Sequence, residues 1–274
     1  MMNKNPIGVF DSGYGGLTVL REIVAHLPQY DYIYLGDNLR APYGPLSFET
    51  VYDYTLECVK WFFEQGCPLV ILACNTASAK ALRTIQQNDL PKIDPSKRVL
   101  GVIRPTSEVI GQYTNANHAG IMATAGTVLS NSYLLEIEKF FPGIVVSQEA
   151  CLEWVGLVES GQQHSPEADE PVQRHVENLL AKDKEIDAIL LACTHYPLLI
   201  DKISQFVPEG IAIISQGQIV AESLAQYLEN HPEIAEKCST GMKRTFFTTG
   251  STDDFNNHAS VFFGQPVAAK SIKL

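Results

Sequence analysis

Residues 69–79 read Leu-Val-Ile-Leu-Ala-Cys-Asn-Thr-Ala-Ser-Ala, an apolar run that ends in a thiol, an amide and a hydroxyl. Five consecutive apolar residues are typical of a strand that is buried on both faces of a parallel sheet. The small residues that follow predict a helix, so Cys74 is expected between the carboxyl end of a strand and a helix N-terminus. Open parallel sheets bind ligands at such ends. The helix dipole is expected to lower the pKa of Cys74 below its free value of about 8.5.

A second stretch of the chain has the same arrangement. Residues 188–197 read Ala-Ile-Leu-Leu-Ala-Cys-Thr-His-Tyr-Pro, which again predicts a buried strand followed by a cysteine and polar side chains. Two strands are therefore predicted to deliver Cys74 and Cys193 to ligand-binding edges. We interpret this pair of thiols as the centre of the protein.

The fold class follows from the alternation of strand and helix patterns along all 274 residues. Such alternation predicts an α/β protein with doubly wound parallel sheets. The two halves also resemble each other weakly. In the first half a strand ends in Asp-Ser-Gly and a later one in Ala-Cys-Asn-Thr, whereas the second half has Thr-Ala-Gly-Thr and then Ala-Cys-Thr-His. The sequence therefore predicts two similar lobes that face each other across an active-site cleft.

We predict the boundaries of the lobes from a change in composition and from the point at which the alternation of strands and helices begins again. The polar segment 89–96 contains two prolines and is predicted to connect the lobes. Residues 1–97 are expected to form the first lobe and residues 98–209 the second. The C-terminal residues 210–274 are expected to complete the first lobe.

Charge and composition exclude several classes of partner. A formal net charge of −11 disfavours non-specific binding to nucleic acid. No apolar run reaches membrane-spanning length, and residues 1–6 contain no signal-peptide apolar region, so neither a membrane partner nor export is expected. The six cysteines form no Cys-x-x-Cys pair, which favours free thiols in a reducing cytoplasm.

Each cysteine is first compared with an inert buried thiol, which packs as a small hydrophobe. That interpretation suits the four cysteines predicted on helix faces or in turns: Cys58, Cys67, Cys151 and Cys238. Zinc ligation by Cys193 and His195 lacks the four ligands at short spacings that structural sites need, so no metal is expected. A hydrolase with Cys74 as nucleophile and His195 as base is chemically reasonable, but it leaves Cys193 without a role.

A different chemistry uses both thiols. A stereocentre that bears an acidic C–H is inverted when one face meets a base and the other meets an acid. A thiol can donate a proton and, as thiolate, accept one near neutral pH. Asp11 is a candidate partner for one thiol, and Glu159 with His195 for the other, because a carboxylate or imidazole can accept a thiol proton.

The remaining groups at the predicted strand ends suit a small, doubly charged amino acid. Hydroxyl and amide groups are offered by Ser12, Asn75, Thr76, Thr124, Thr127 and Thr194. Backbone N–H groups at helix N-termini can bind carboxylates, and the turn at Tyr43 and Gly44 can add a backbone contact. The glycines at 13, 15 and 16 lack the phosphate-loop spacing, so a tight strand-to-helix turn is an equally good account. Because no lysine stands in a motif suited to pyridoxal, we expect no cofactor.

Four motifs in the right order resemble those of the glutamate racemases of the aspartate/glutamate racemase superfamily. They are Gly-Val-Phe-Asp-Ser-Gly-Tyr-Gly-Gly at 8–16, Ala-Pro-Tyr-Gly at 41–44, Ala-Cys-Asn-Thr-Ala at 73–77 and Ala-Cys-Thr-His-Tyr-Pro-Leu at 192–198. The resemblance extends from Ile7 to about Leu228. It implies cofactor-independent interconversion of L- and D-glutamate, which supplies D-glutamate for peptidoglycan. It also implies two α/β lobes with the site between them, and a homodimer.

The resemblance further implies a role for individual residues. Cys74 and Cys193 are then the two acid/base groups, with Cys74 deprotonating the D-enantiomer and Cys193 the L-enantiomer. Asp11 is implied to assist Cys74, and Glu159 and His195 to assist Cys193. The implied substrate contacts are Asp11, Ser12, Tyr43, Gly44, Asn75, Thr76, Thr194 and His195.

The chain also departs from the family pattern. Asn38 stands where the family often has Thr, and Arg104-Pro105-Thr106 replaces a Glu-Pro-Gly run. Two prolines usual before Glu159 are missing, which leaves Glu153 as a competing carboxylate near Cys193.

Two other functions stay open from sequence alone. The first is racemisation of another amino acid, such as aspartate. The second is a two-lobed module that closes on an amino acid without reacting with it.

Overall fold

A computed structural model describes residues 5–274, and residues 1–4 of the predicted first lobe lie outside the described residues. The strands are β1 (Ile7–Asp11), β2 (Tyr32–Gly36), β3 (Leu69–Leu72), β4 (Arg98–Gly101), β5 (His118–Ala123), β6 (Val145–Ala150), β7 (Ala188–Ala192), β8 (Ala212–Ser215), β9 (Arg244–Thr248) and β10 (Ala269–Ser271).

Helices follow nearly every strand. They are α1 (Gly16–His26), α2 (Phe48–Glu64), α3 (Asn75–Lys80), α4 (Leu82–Thr84), α5 (Leu90–Ile93), α6 (Ile103–Val109), α7 (Ala125–Leu129), α8 (Ser132–Phe140), α9 (Trp154–Glu159), α10 (Asp169–Lys182), α11 (Ile200–Phe206), α12 (Gln216–Asn230), α13 (Pro232–Ala235) and α14 (Thr252–Phe263). A π-helical turn at Ile85–Asp89 joins α4 to α5, and 3₁₀ turns occupy Ile110–Gln112, Pro166–Ala168 and Tyr196–Leu199. Within residues 5–274, no helix has the length and apolar character needed to span a membrane.

The strands of residues 5–274 form two sheets in which neighbouring strands run parallel. The larger sheet has the order β10-β9-β2-β1-β3-β4, and the smaller has the order β6-β5-β7-β8. The α/β class with two parallel sheets is therefore confirmed. The strands β2-β1-β3-β4 of the larger sheet and the strands β6-β5-β7-β8 of the smaller sheet follow the same winding pattern, which gives the weak internal symmetry a structural counterpart.

This strand order creates a ligand-binding crevice in each sheet. In the larger sheet the chain passes from β1 to β2 on one side of β1, and β3 then pairs with β1 on its other side. In the smaller sheet β6 and β7 flank β5 in the same way. The order of the strands therefore reverses between β1 and β3 and between β5 and β7. Crevices open at the carboxyl ends of strands at such switch points. Asp11 ends β1 and Cys74 follows β3, whereas Thr124 follows β5 and Cys193 follows β7. The repeated topology therefore sets one cysteine at each crevice.

The core lies on both faces of each sheet, as alternating strand residues require. In β1, Ile7 and Val9 belong to one apolar cluster, whereas Phe10 packs into a second cluster on the other face. Every residue of β1 and β7 is buried. Ser47 accepts a hydrogen bond from the N–H of Thr50 at 3.1 Å and so caps the start of α2, as Ser residues commonly do.

The division of the chain into lobes stays a prediction, but the sheets show where its boundary strands lie. Strand β4, at 98–101, pairs with β3 in the larger sheet, and β8, at 212–215, pairs with β7 in the smaller one. Each sheet change therefore falls after the predicted boundary. The segment 89–96 joins two strands of one sheet, so its predicted role as the connection between lobes is wrong. Strands β9 and β10 lie at the edge of the larger sheet.

Candidate active site

Cys74 lies at the N-terminus of α3, where its backbone leaves the strand conformation. Its Sγ accepts a hydrogen bond from the N–H of Ala77 at 3.4 Å and lies 3.6 Å from Oγ of Ser12. The thiol is therefore held between the loop after β1 and the first turn of a helix. The side chain of Ser12 is partly exposed, whereas Cys74 is only 6% exposed.

The pKa of Cys74 is shifted in the direction opposite to that expected from the sequence. Burial, followed by the negative charge of Asp11, raises it to about 12, although the N–H of Ala77 and the contact with Ser12 act in the opposite direction. The expectation that the helix N-terminus lowers this pKa is wrong, because one short helix turn does not offset desolvation. The resting side chain is therefore a thiol, which is the proton-donating form.

Asp11 is the buried carboxyl group of the site. Its Oδ2 accepts the N–H of Gly13 at 3.0 Å, and its Oδ1 lies 3.5 Å from the hydroxyl of Thr194. Burial raises the pKa of Asp11, and the nearby His195 and the N–H of Gly13 oppose that rise without cancelling it. Asp11 therefore joins the loop after β1 to the loop after β7, and connects the surroundings of the two thiols.

Cys193 has a different set of neighbours. Its Sγ lies 3.9 Å from Nδ1 of His195, and Nε2 of the same ring lies 3.1 Å from Oε1 of Glu159. Burial alone would lower the pKa of His195, but its interactions with Cys193 and Glu159 outweigh that effect and raise it to about 10. The imidazole is therefore a cation at neutral pH, and it lies between a thiol and a carboxylate.

Glu159 and Glu153 were alternative carboxylates for the Cys193 side. The structure places Glu159 at the end of α9 beside His195. Glu153 instead forms a 2.7 Å ion pair with Arg174 and a 2.7 Å hydrogen-bond contact with Nε2 of His175, and its pKa falls to about 2 although burial opposes the fall. Glu159 is thus the carboxylate that contacts the His195 side of the site.

The loop after β1 and the loop after β7 approach each other most closely at Gly15. A Cβ atom on Gly15 would lie 2.2 Å from Oγ1 of Thr194 and 2.4 Å from Nδ1 of His195. Only glycine permits this contact. Gly15 therefore permits a tight approach between the surroundings of the two thiols.

The threonines form a second contact between the two crevices. Oγ1 of Thr76 lies 3.0 Å from Oγ1 of Thr124, and Thr124 also accepts the N–H of Thr127 at 3.3 Å as the cap of α7. Gly44 lies against them, since a Cβ on Gly44 would be 3.5 Å from Cβ of Thr124.

The loop that carries Gly44 is held through its own neighbours. The buried hydroxyl of Tyr43 donates to Asp37 at 2.5 Å, so the phenol anchors this loop, and the carbonyl of Tyr43 accepts the N–H of Leu46 at 3.2 Å.

Asn75 contacts residues that the sequence did not indicate. Its Nδ2 donates to Oε1 of Gln216 at 2.7 Å, and its Oδ1 accepts the hydroxyl of Tyr133 at 2.6 Å. Sequence reasoning also missed Phe262, whose ring lies edge-on to His195 at 5.3 Å. The available signal was that Gln216, like Asp11, stands at the carboxyl end of a strand. Tyr133 and Phe262 carried no such signal, because each lies within an ordinary amphipathic helix.

A cavity of about 710 Å³ lies elsewhere between the sheets, and it is lined by residues such as Gly101, Arg104 and Val220. None of the predicted site residues lines it. The buried carboxyl, the imidazolium and both thiols lie instead at the two crevices.

These features define an α/β protein with a thiol and an acid–base partner in each of two facing crevices. Residues 7–224 match the Asp/Glu/Hydantoin racemase family. The chain therefore belongs to that family.

Within the family, full-length relatives are glutamate racemases. The glutamate racemase of Dinoroseobacter shibae is 38% identical over 97% of this chain and 98% of its own length. The solved glutamate racemase RacE1 of Bacillus anthracis is 32% identical, with a TM-score of 0.86 and 98% of both chains covered. That of Francisella tularensis, solved with D-glutamate, is 29% identical, with a TM-score of 0.87 and 98% of both chains covered. The resemblance inferred from the four sequence motifs is confirmed.

Proposed function

We propose that this protein interconverts L- and D-glutamate by moving protons between its substrate and two thiols. The observation that carries the proposal is the pairing of Cys74 and Cys193 at equivalent strand ends with opposite acid–base partners. One thiol is held in its protonated form beside a buried carboxyl group, and the other lies beside an imidazolium. Such a pair supplies an acid to one face of a stereocentre and a base to the other.

The reaction in the direction from L to D begins at Cys193. Its thiolate, paired with the His195 cation, takes the α-proton of L-glutamate, and the electron pair passes into the adjacent carboxylate. The Cys74 thiol then gives its proton to the opposite face, which forms D-glutamate. The enzyme is left with a Cys193 thiol and a Cys74 thiolate, so the reverse reaction uses the same groups with their roles exchanged.

The α-carbon of glutamate is a weak acid, and its carbanion needs help from the site. Helix N-termini at α3 and α7 direct N–H groups toward the crevices, and such groups bind carboxylates. Hydroxyl groups of Ser12, Thr76 and Thr194 and the backbone at Gly44 line the same region. We infer that they hold the two carboxylates and the ammonium of the substrate, and that the reaction needs no cofactor.

Two further properties belong to this proposal. We infer a homodimer, as the family resemblance implies, and sedimentation velocity of the purified protein would measure it. We also infer a cytoplasmic enzyme that supplies D-glutamate for peptidoglycan, in line with its free thiols. Depletion of the protein in its host, with and without added D-glutamate, tests that role.

The activity is tested with L-glutamate and L-aspartate in separate incubations in D₂O. Circular dichroism follows the loss of optical activity, and proton NMR follows exchange at the α-carbon. We expect loss and exchange with glutamate and neither with aspartate. Activity on aspartate alone would favour the other racemase, and binding without exchange would favour the non-reacting module.

A further inference from the structure

A closed ring of three buried side chains lies directly behind Cys74. Asn75 Nδ2 donates to Gln216 Oε1 at 2.7 Å, Gln216 Nε2 donates to the Tyr133 hydroxyl at 2.6 Å, and that hydroxyl donates to Asn75 Oδ1 at 2.6 Å. All three residues are at most 4% exposed. Each is at once a donor and an acceptor, so the loss of one leaves buried polar groups of the others unpaired.

The direction of the ring is fixed by its neighbour Thr106. The Thr106 hydroxyl donates its single proton to the carbonyl of Val102 at 2.9 Å, so it can only accept from Gln216, whose Nε2 lies 3.0 Å away. The amide nitrogen of Gln216 must therefore point toward Thr106, and its oxygen toward Asn75. The orientation of Asn75 follows, because its nitrogen must face that oxygen.

The ring also crosses from one sheet to the other. Asn75 begins α3 after the larger sheet, whereas Gln216 begins α12 directly after β8 of the smaller sheet, 141 positions further along the chain. Tyr133 lies on α8, beside the smaller sheet. A single peptide unit separates Asn75 from Cys74, whose sulfur is itself bonded to the first turn of α3.

We propose that Gln216 is a positioning residue for Cys74. It orients Asn75, and through the first turn of α3 it holds the Cys74 sulfur at the distance that proton transfer on one face of the substrate requires. Among the described contacts Cys193 forms no hydrogen bond with the ring: its Sγ lies 3.9 Å from His195, which contacts Glu159, and it interacts with the ring only through its charge at Tyr133. We therefore expect the effect of Gln216 to be larger on the proton transfer of Cys74 than on that of Cys193. This inference rests on the proposed function.

The test separates the two faces with the enantiomers of β-chloroglutamate. Abstraction of the α-proton by one thiolate expels chloride, and the enamine so formed tautomerises and is hydrolysed to 2-oxoglutarate and ammonia. The overall change is loss of HCl, followed by addition of water and loss of ammonia, so no oxidant is required. Each enantiomer reports on one thiol, and 2-oxoglutarate formation gives the rate.

Gln216→Met keeps the length of the side chain and removes its hydrogen bonds. We expect elimination that depends on Cys74 to fall about 10²-fold, which is the effect of a misplacement of about 1 Å. Elimination that depends on Cys193 should change less than about threefold. Gln218→Met is the matched control, because Gln218 lies on the same helix, is exposed and bonds only Glu222 among the described contacts.

Tyr133→Phe is the second variant, and it decides the matter if Gln216→Met does not fold. It removes the donor to Asn75 and leaves the bond between Gln216 and Asn75, so the same asymmetry is expected at about tenfold. An equal fall for both enantiomers, or no change in either, would overturn the positioning role. Failure of the wild-type protein to eliminate from either enantiomer would instead count against the proposed function.

Discussion

Cys74 and Cys193 occupy corresponding positions in the two sheets, but the ionisable groups beside them carry opposite charges. Cys74 lies near a buried carboxyl group, and its pKa is raised to about 12. Cys193 lies 3.9 Å from an imidazole whose pKa is raised to about 10. The same topology thus places one cysteine beside a buried carboxyl group and the other beside an imidazolium. The difference comes from a few residues after each strand, rather than from the strands themselves.

Removal of one thiol should have the largest effect on the rate. Cys74→Ala and Cys193→Ala should each lower racemisation by at least about 10²–10⁴, the usual value of an acid–base group. Each variant should keep elimination from one enantiomer of β-chloroglutamate and lose it from the other, with opposite preferences. Measured rates for both enantiomers decide the question. Near wild-type racemisation by either variant, or one shared preference, contradicts the assignment of one thiol to each face.

Replacing His195 should affect one side only. His195→Asn removes the cation beside Cys193, so elimination that depends on Cys193 should fall about 10²-fold, while the Cys74-dependent rate changes much less. In the wild type the cation persists below its pKa of about 10 and is lost as pH rises through that value. Its favourable ion pairs should therefore weaken at high pH, which a pH profile of the Cys193-dependent rate would detect. An unchanged profile in His195→Asn would show that another group titrates.

Asp11→Asn tests the surroundings of Cys74 in the same way. The Asp11 charge is one cause of the raised pKa of Cys74, so its removal should lower that pKa. The Cys74-dependent elimination should then begin at a lower pH than in the wild type, with a rate change of about tenfold or less. An onset at the wild-type pH would mean that burial alone sets the pKa of Cys74.

Asp11→Asn should also change stability in a defined direction. The folded pKa of Asp11 is raised, so the folded protein holds this proton more tightly than the unfolded chain does. That contribution is present at low pH and is lost as pH rises through the folded pKa, so the ionised group is a cost at neutral pH. The variant should therefore gain thermal stability relative to the wild type as pH rises from the unfolded pKa of about 3.9 through the raised folded pKa, and the gain should level off above it. A gap in melting temperature that is constant with pH would refute this account.

Glu159→Gln should have the smallest effect. The Glu159 side chain is 31% exposed, so its ion pair with His195 is screened by solvent. A partly exposed pair of this kind contributes about 1 kcal/mol or less, which limits the loss to about fivefold. Glu153→Gln is the control and should leave the rate unchanged, because Glu153 pairs with Arg174 and His175. An equal loss in both variants would remove Glu159 from its place on the Cys193 side.

Sequence patterns predicted the strands that carry the site because each is a buried apolar run with polar residues at its carboxyl end. They also predicted that Cys74 and Cys193 occupy corresponding positions. They could not predict the pKa of Cys74, because that depends on burial by residues distant in the chain. For a related reason they could not predict the hydrogen-bonded ring of Asn75, because Gln216 contacts Asn75 only after both sheets have formed. Composition could not show that the segment 89–96 joins β3 to β4 of one sheet, because a polar segment with two prolines can connect strands of one sheet as readily as two lobes.

Burial of both thiols has a consequence for the time course of turnover. Cys74 and Cys193 are each 6% exposed, and Asp11 and His195 are no more exposed than that. We therefore expect a substrate as large as glutamate to reach such groups when the crevices separate, so that each catalytic cycle includes an opening and a closing movement. Such movements occur on microsecond to millisecond timescales and set the rate of many enzymes. The rate of racemisation should then depend on solvent viscosity, and bulky thiol reagents should react with these cysteines only as fast as the protein opens.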